Sequence, residues 1–229
     1  MHHTNIGNYS MTNQISKAKI VIVDDHPMMR DGLTMRILSQ SDLDVCGQAA
    51  TQDEALELVK DSNPDLVLID ISLKSGNGIE LVKRIRLFNA TTKMLIVSAF
   101  QESLYAERAL RAGALGYLNK QETNEKLIEA IRTVLRGETF VSPDTTQRLV
   151  SQVMGKKPLA NDPLAALTDR ELEIFRLIGS GLSTSAIAHQ LFVSTHTVDT
   201  HRENLKKKLG VKSGAELNLK AIQSMLESG

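Results

Sequence analysis

The chain has 229 residues, ordinary apolar and charged fractions and a formal net charge of zero, which suits a folded protein of one large or two modest domains and argues against disorder. No basic excess points to nucleic acid: from Lys156 onward there are ten Lys and Arg against eight Asp and Glu, too small a difference to carry a DNA-binding claim. The one cysteine, Cys46, excludes an internal disulfide framework and a zinc site of several thiolates, and no apolar run is long enough to span a membrane.

Residues 1–16 are polar and lack the apolar core of a signal peptide, so they read as a disordered leader on a cytoplasmic protein with no membrane role. From residue 17 to about 136, short apolar runs at 20–23, 45–49, 66–69, 94–97 and 115–118 alternate with helix-sized segments near 27–39, 52–61, 78–88, 102–112 and 123–136. Five strand-then-helix units predict an α/β domain, its parallel sheet covered by helices on both faces. Gly137 stops the last helix. Residues 138–163, with Pro143, Gly155, Pro158 and Pro163, read as a linker carrying a short helix near 144–153.

From Leu164 the pattern is all helical. Thr168 and Glu171 form a capping box that opens one helix, which Gly179 and Gly181 end. Ser183 or Thr184 opens a second and Ser194 or Thr195 a third, which Gly210 closes; a fourth runs over about 213–227. The division predicted is 17–137, a linker at 138–163, and a small all-α four-helix domain at 164–229.

In the first domain the polar groups fall at strand ends. Asp24 and Asp25 follow the first strand, Asp70 ends the third, Ser98 ends the fourth and Lys120 follows the fifth. In a parallel sheet these ends share one edge, where open α/β sheets bind their ligands. Three clustered carboxylates need a cation, and an oxygen-only ligand set suits Mg2+. A carboxylate held there can attack a phosphoryl group and become an acyl phosphate, with a lysine and a hydroxyl to pair with the new oxygens. Any one of these residues alone fits a turn or a helix cap better than a site; their joint placement points to chemistry.

Residues 19–136 resemble the receiver domain of two-component response regulators, matching its acidic pair at Asp24 and Asp25, its acceptor at Asp70, and then Ser98, Tyr117 and Lys120. The resemblance implies a flavodoxin-like five-stranded sheet of order 2-1-3-4-5 with Asp70 as phosphoacceptor. It implies Mg2+ held by Asp25, Asp70 and the backbone carbonyl of Ser72, with Asp24 acting mainly through water. Lys120 and Ser98 would assist the transfer. Ser98 and Tyr117 would form a switch pair in which phosphate draws the hydroxyl inward and the ring follows. The chain departs from many receivers at Lys74, where they carry proline; that side chain reads either as reaching the site or as solvated. Gly76, Asn77 and Gly78 lack the third glycine of a dinucleotide fingerprint, and Asp70-Ile-Ser72 lacks the second acidic residue of a dehalogenase-type phosphatase.

In the second domain the short turn at 191–194 joins two helices as in a helix-turn-helix. Val198, Leu205 and Leu209 are spaced to face inward. That leaves Asp199, Thr200, Glu203 and Lys207 outward, flanked by Arg202, Lys206 and Lys208. Residues 164–227 resemble the LuxR-type DNA-binding domain at Leu167, Thr168, Arg170, Glu171, Gly181, Ile187, Ala188, Leu191, Ser194, Thr197, Val198, His201, Lys208 and Leu209. With a receiver, this is the NarL/FixJ arrangement. It implies a transcription regulator in which phosphorylation of Asp70 controls sequence-specific DNA binding. The donor would be a histidine kinase or a small acyl phosphate; the protein would pair as a homodimer on DNA, with RNA polymerase as a further partner. It would modify itself rather than turn over a substrate. Thr197, Arg202, Lys206, Lys207 and Lys208 are then phosphate contacts, and Asp199, Thr200 and Glu203 sit at base edges. Asp199–Arg202 and Glu203–Lys207 are equally spaced for local pairs on the helix surface, and His201 reads as packing. The competing possibility is a regulator that binds DNA without phosphorylation and uses its first domain to dimerise.

Overall fold

The structure, a computed structural model, describes residues 16–73, 76–154 and 163–227. The leader up to residue 15, the departure at Lys74 and part of the predicted linker lie outside these.

Five strands, β1 (Ala18–Val23), β2 (Leu43–Ala49), β3 (Leu66–Ile69), β4 (Lys93–Ser98) and β5 (Gly116–Asn119), pair in parallel in the order 2-1-3-4-5. All four residues of β3 are buried, as a central strand covered on both faces requires. Successive residues point to opposite faces. Ile20, Ile22, Leu66, Leu68, Leu95 and Val97 meet α1 (Pro27–Leu38) and α5 (Asn124–Leu135). Val21, Val23, Val67, Ile69, Ile96 and Tyr117 meet α2 (Gln52–Ser62), α3 (Gly78–Phe88) and α4 (Glu102–Ala112) on the other side. That second apolar cluster continues into the C-terminal helices, so the two halves are packed on each other.

The segment read from sequence as a linker begins against the sheet. The Phe140 amide donates to the Leu115 carbonyl at 3.0 Å, and the Tyr117 amide donates to the Phe140 carbonyl at 2.9 Å. Helix α6 (Pro143–Val153) lies on α4: the Ser142 amide donates to Glu102 Oε1 at 2.6 Å, and Arg148 donates to the Ser103 carbonyl at 3.1 Å. Residues 138–153 are therefore held on the first domain.

The C-terminal helices are α7 (Asp169–Gly179), α8 (Thr184–Gln190), α9 (Thr195–Leu209) and α10 (Gly214–Glu227). Thr168, Ser183 and Ser194 each cap a helix by accepting a backbone N–H, and Gly210 ends α9 at a φ of 68°. The capping box of α7 has an extra member, because buried Glu171 also takes Lys208 Nζ of α9 at 2.6 Å. Burial pushes the Glu171 carboxyl up, but Lys208 and the Thr168 groups outweigh it and hold its pKa below the usual value. Its stabilising contribution is thus present above the unfolded carboxyl pKa and is lost as pH falls through the depressed one. Glu171→Gln is expected to cost roughly 1–2 kcal/mol at neutral pH. Melting curves of the two proteins should converge in acid; a gap that stays constant with pH would contradict this account.

Candidate functional site

The carboxyl edge of the sheet brings the predicted polar residues together. Lys120 Nζ lies 2.6 Å from Asp24 Oδ2 and 2.8 Å from Asp70 Oδ2, and both carboxylates are almost wholly buried. Burial raises the pKa of Asp70 and Lys120 opposes that rise; burial works against the Lys120 charge, but Asp70 and Asp24 hold its pKa above the usual value. Ser98 is fully buried, and its hydroxyl also faces Asp70. Asp24 Oδ1 accepts the His26 amide at 2.8 Å, and Arg30 donates to the Asp24 carbonyl at 2.5 Å, which fixes the turn after β1.

Asp25 completes the acidic corner. One oxygen from each of Asp24, Asp25 and Asp70 and one nitrogen of His26 lie within 4.8 Å of one another. Asp25 Oδ1 is buried and makes no hydrogen bond; His26 Nδ1 is 2.7 Å away but outside bonding geometry. An orphaned carboxylate oxygen among carboxylates is what a hard divalent cation would satisfy. The loop that closes the corner requires its glycine: a Cβ on Gly78 would run into the Asp70 carbonyl and the Ile71 Cα. The Gly78 amide instead donates to the Ile71 carbonyl at 2.8 Å.

The Tyr117 ring lies inside the domain, in the inward position expected of the switch residue. It is 1% exposed, and its hydroxyl donates to the Phe100 carbonyl at 2.8 Å, an acceptor that needs no phosphoryl group.

On α9, Val198, Leu205 and Leu209 are buried, and Asp199, Thr200, Glu203 and Lys207 are exposed, as the spacing predicts. Several side chains have partners other than those expected. Glu203 pairs with Lys206 at 2.7 Å rather than with Lys207, three residues being as good a spacing as four. Arg202 reaches Asn218 of α10 at 3.0 Å rather than Asp199, which has no hydrogen bond or ion pair among the described residues. The Thr200 hydroxyl turns back to the His196 carbonyl at 2.9 Å, and Thr197 Oγ1 lies 2.8 Å from Ser194 Oγ. Lys208, expected at phosphate, is taken by Glu171, because a buried carboxylate needs the nearest cation. His201 is half-buried, with burial pulling its pKa down, in keeping with a packing role.

Residues 20–132 match the family described as the response regulator receiver domain, and residues 165–221 match that of the bacterial regulatory proteins, luxR family. The oxygen regulatory protein NreC of Staphylococcus carnosus is 38% identical over 213 residues, covering 91% of this chain and 98% of that protein. This chain belongs to the response regulators. NreC of Staphylococcus aureus is 39% identical over the same shares. Among solved structures, a LuxR-family two-component response regulator from Aurantimonas sp. is 34% identical with a TM-score of 0.56, over 61% of this chain and 99% of that one. RcsB of Salmonella typhimurium shares the fold, with a TM-score of 0.65 at 21% identity over 91% of this chain and 98% of that one.

What sequence reasoning missed in this response regulator is the contact between its receiver and its LuxR-type domain. Arg108 of α4 donates to the Leu164 and Leu167 carbonyls at 2.8 and 2.6 Å, and with Lys83 of α3 it pairs with Asp169 at the start of α7. Arg176 of α7 lies over the Phe100 ring, 3.5 Å from its centroid. Glu173, buried against the receiver near Asn77, has its pKa raised by that burial despite Arg170 at 2.9 Å. Between the domains lies a cleft of about 850 Å3, bordered by Asp25, His26 and Ser72 on the receiver and by Arg176 and His189 opposite. One signal was available in the sequence: Arg176 falls four residues after Leu172 on the buried stripe of α7, where a charge calls for a partner.

Removing Lys120 would leave two carboxylates buried without their cation. Lys120→Met is expected to destabilise the receiver by about 3 kcal/mol at neutral pH. The loss should shrink as pH falls through the raised pKa of Asp70, since the protonated acid needs no counter-charge. Urea titrations at several pH values measure this directly.

Proposed function

We propose that Asp70 is the phosphoacceptor of this response regulator and that its modification controls sequence-specific DNA binding and transcription. The observation that carries this is the nearly buried Asp70 carboxylate, held by Lys120 beside Ser98 and Asp25. A carboxylate oxygen of Asp70 attacks the donor phosphorus. The bond from phosphorus to the donor atom breaks, and the electron pair leaves with the donor. Lys120 and the Ser98 hydroxyl then pair with phosphoryl oxygens, and Ser98 with Tyr117 forms the switch. Asp24, Asp25, Asp70 and the backbone carbonyl of Ser72 would hold Mg2+, which when bound neutralises charge between carboxylate and phosphate. The product is a modified protein rather than a released compound, so we read the chain as a self-modifying acceptor and not an enzyme.

The working parts are a receiver over 17–137, a connecting segment over 138–163 and a DNA-binding domain over 164–229. The donor is a histidine kinase or a small acyl phosphate, and the setting is the cytoplasm; among the described residues no helix is long and apolar enough to cross a membrane. On DNA, Thr197, Arg202, Lys206 and Lys207 are proposed phosphate contacts, and Asp199, Thr200 and Glu203 face base edges. Lys208 serves Glu171 instead. RcsB has been solved bound to a promoter in the presence of a phosphomimetic, and in another structure as two dimers on two DNAs. A homodimer is likewise proposed here, because one short helix reads few bases. The exposed Leu219, Ile222 and Leu226 on one side of α10 offer a surface for pairing. RNA polymerase is the proposed downstream partner.

Acetyl phosphate with Mg2+ should add one phosphoryl mass to the wild type and none to Asp70→Asn, and should tighten binding to selected DNA in the wild type alone. Equal DNA binding with and without donor would instead favour phosphorylation-independent regulation. Lys207→Ala should weaken binding to all sequences alike and lower the salt slope by about one. If Asp199→Ala leaves the selected sequence unchanged, Asp199 reads no base.

A further inference from the structure

Most of the interdomain contacts fasten fixed elements: Arg108 and Lys83 grip the start of the DNA-binding domain from the helices α4 and α3. The contact at Phe100 differs, because both backbone groups of Phe100 belong to the phosphoacceptor pocket. Its amide donates to Ser98 Oγ at 3.3 Å, and its carbonyl accepts from Tyr117 Oη at 2.8 Å and from Asn119 Nδ2 at 3.2 Å. Its ring faces the other way and carries the Arg176 guanidinium at 3.5 Å, with Tyr105 packed against it at 5.2 Å between centroids.

Two physical facts make this a sensitive joint. A serine hydroxyl has one hydrogen to donate and lone pairs to accept with, so Ser98 can donate to a phosphoryl oxygen while still accepting from the Phe100 amide. Whatever moves Ser98 therefore pulls Phe100 with it. On the other side, Arg176 Nη1 and the Tyr105 hydroxyl are buried and make no hydrogen bond. The guanidinium sits over the faces of the Phe100 and Tyr105 rings, with the Glu173 carboxylate near enough to feel its charge, and the ring attraction depends on its place over the ring. A seat of this kind tolerates little displacement, and the buried group without a hydrogen bond already weighs against the docked state.

Resting on Asp70 as the phosphoacceptor, we propose that Arg176 and Phe100 form the latch through which the receiver pocket and the DNA-binding domain control one another. With Arg176 seated, Phe100 holds the Ser98 hydroxyl in its present place facing Asp70 and the domains stay docked. With Ser98 drawn to a phosphoryl oxygen, Phe100 shifts and Arg176 loses its seat. Coupling of this kind is reciprocal: a variant that frees the DNA-binding domain also eases phosphorylation of a pocket it does not touch. Arg176 and Phe100 are positioning residues here.

The test uses the full-length chain as wild type, Arg176→Ala, Arg176→Lys, Phe100→Leu and the double variant Arg176→Ala/Phe100→Leu. Mass spectrometry follows labelling of Asp70 by acetyl phosphate with Mg2+. Small-angle scattering gives the radius of gyration with and without beryllium fluoride and Mg2+. Arg176→Ala and Phe100→Leu are expected to label about tenfold faster than wild type. Arg176→Lys, which keeps the charge but not the planar stack, should fall between. The double variant should be no faster than either single one, and the single variants should already have the larger radius that the wild type gains with beryllium fluoride. Because Phe100 and Arg176 lie in different domains, a folding defect in one variant leaves the other to decide. Labelling of both variants at the wild-type rate, or effects that multiply in the double variant, would overturn the latch while leaving Asp70 as the acceptor. Absence of labelling in the wild type would remove the phosphoacceptor assignment itself, and the latch with it.

Discussion

One ammonium group between two buried carboxylates organises this molecule. Lys120 can neutralise Asp24 and Asp70 together because the ends of β1, β3 and β5 reach the same edge of the sheet, as its parallel strands ensure. Charges so placed are costly to bury apart and tolerable together. Each of the three elements thus restrains the position of the other two, and the loops that follow inherit that restraint. Asp24 fixes the entry to α1, Gly78 brings its loop down onto Asp70, and the turn after β4 is tied through Ser98 and Tyr117 to Phe100.

The parts of this arrangement that repeat locally were legible in the sequence. Strands buried on both faces are almost purely apolar, so the polar residues that end them stand out, and Asp24, Asp70, Ser98 and Lys120 assemble from the sequence pattern alone. Helix ends were legible for a similar reason: Thr168, Ser194 and Gly210 satisfy backbone groups within a few residues of themselves. Contacts between distant segments were not. Nothing near Phe140 announces that it joins β5, and nothing near Arg176 names Phe100 as its seat. On α9 the spacing permitted Glu203 to reach either Lys206 or Lys207. The pairing of Lys208 with Glu171 was not legible because that buried carboxylate lies 37 residues earlier.

The two domains spend charge differently. The receiver concentrates buried acids around one lysine, whereas in the DNA-binding domain each buried acid has its own cation, Glu173 with Arg170 and Glu171 with Lys208. Glu171 with Lys208 is the pair that braces α7 against α9. Since α7 also carries Asp169, Glu173 and Arg176 against the receiver, the helix that sets the docking of the domain is the one that steadies α9.

The two backbone hydrogen bonds from Phe140 have a consequence for how copies of this protein can meet. Strand β5 forms the border of the sheet, and an open border invites a strand from another molecule. Here the chain folds back to occupy that border itself and then turns into α6, which lies on α4. Association at this side of the receiver has to proceed through helix surfaces, which can be separated again, and not by extending the sheet from one molecule into the next. The closed border thus guards against joining for good.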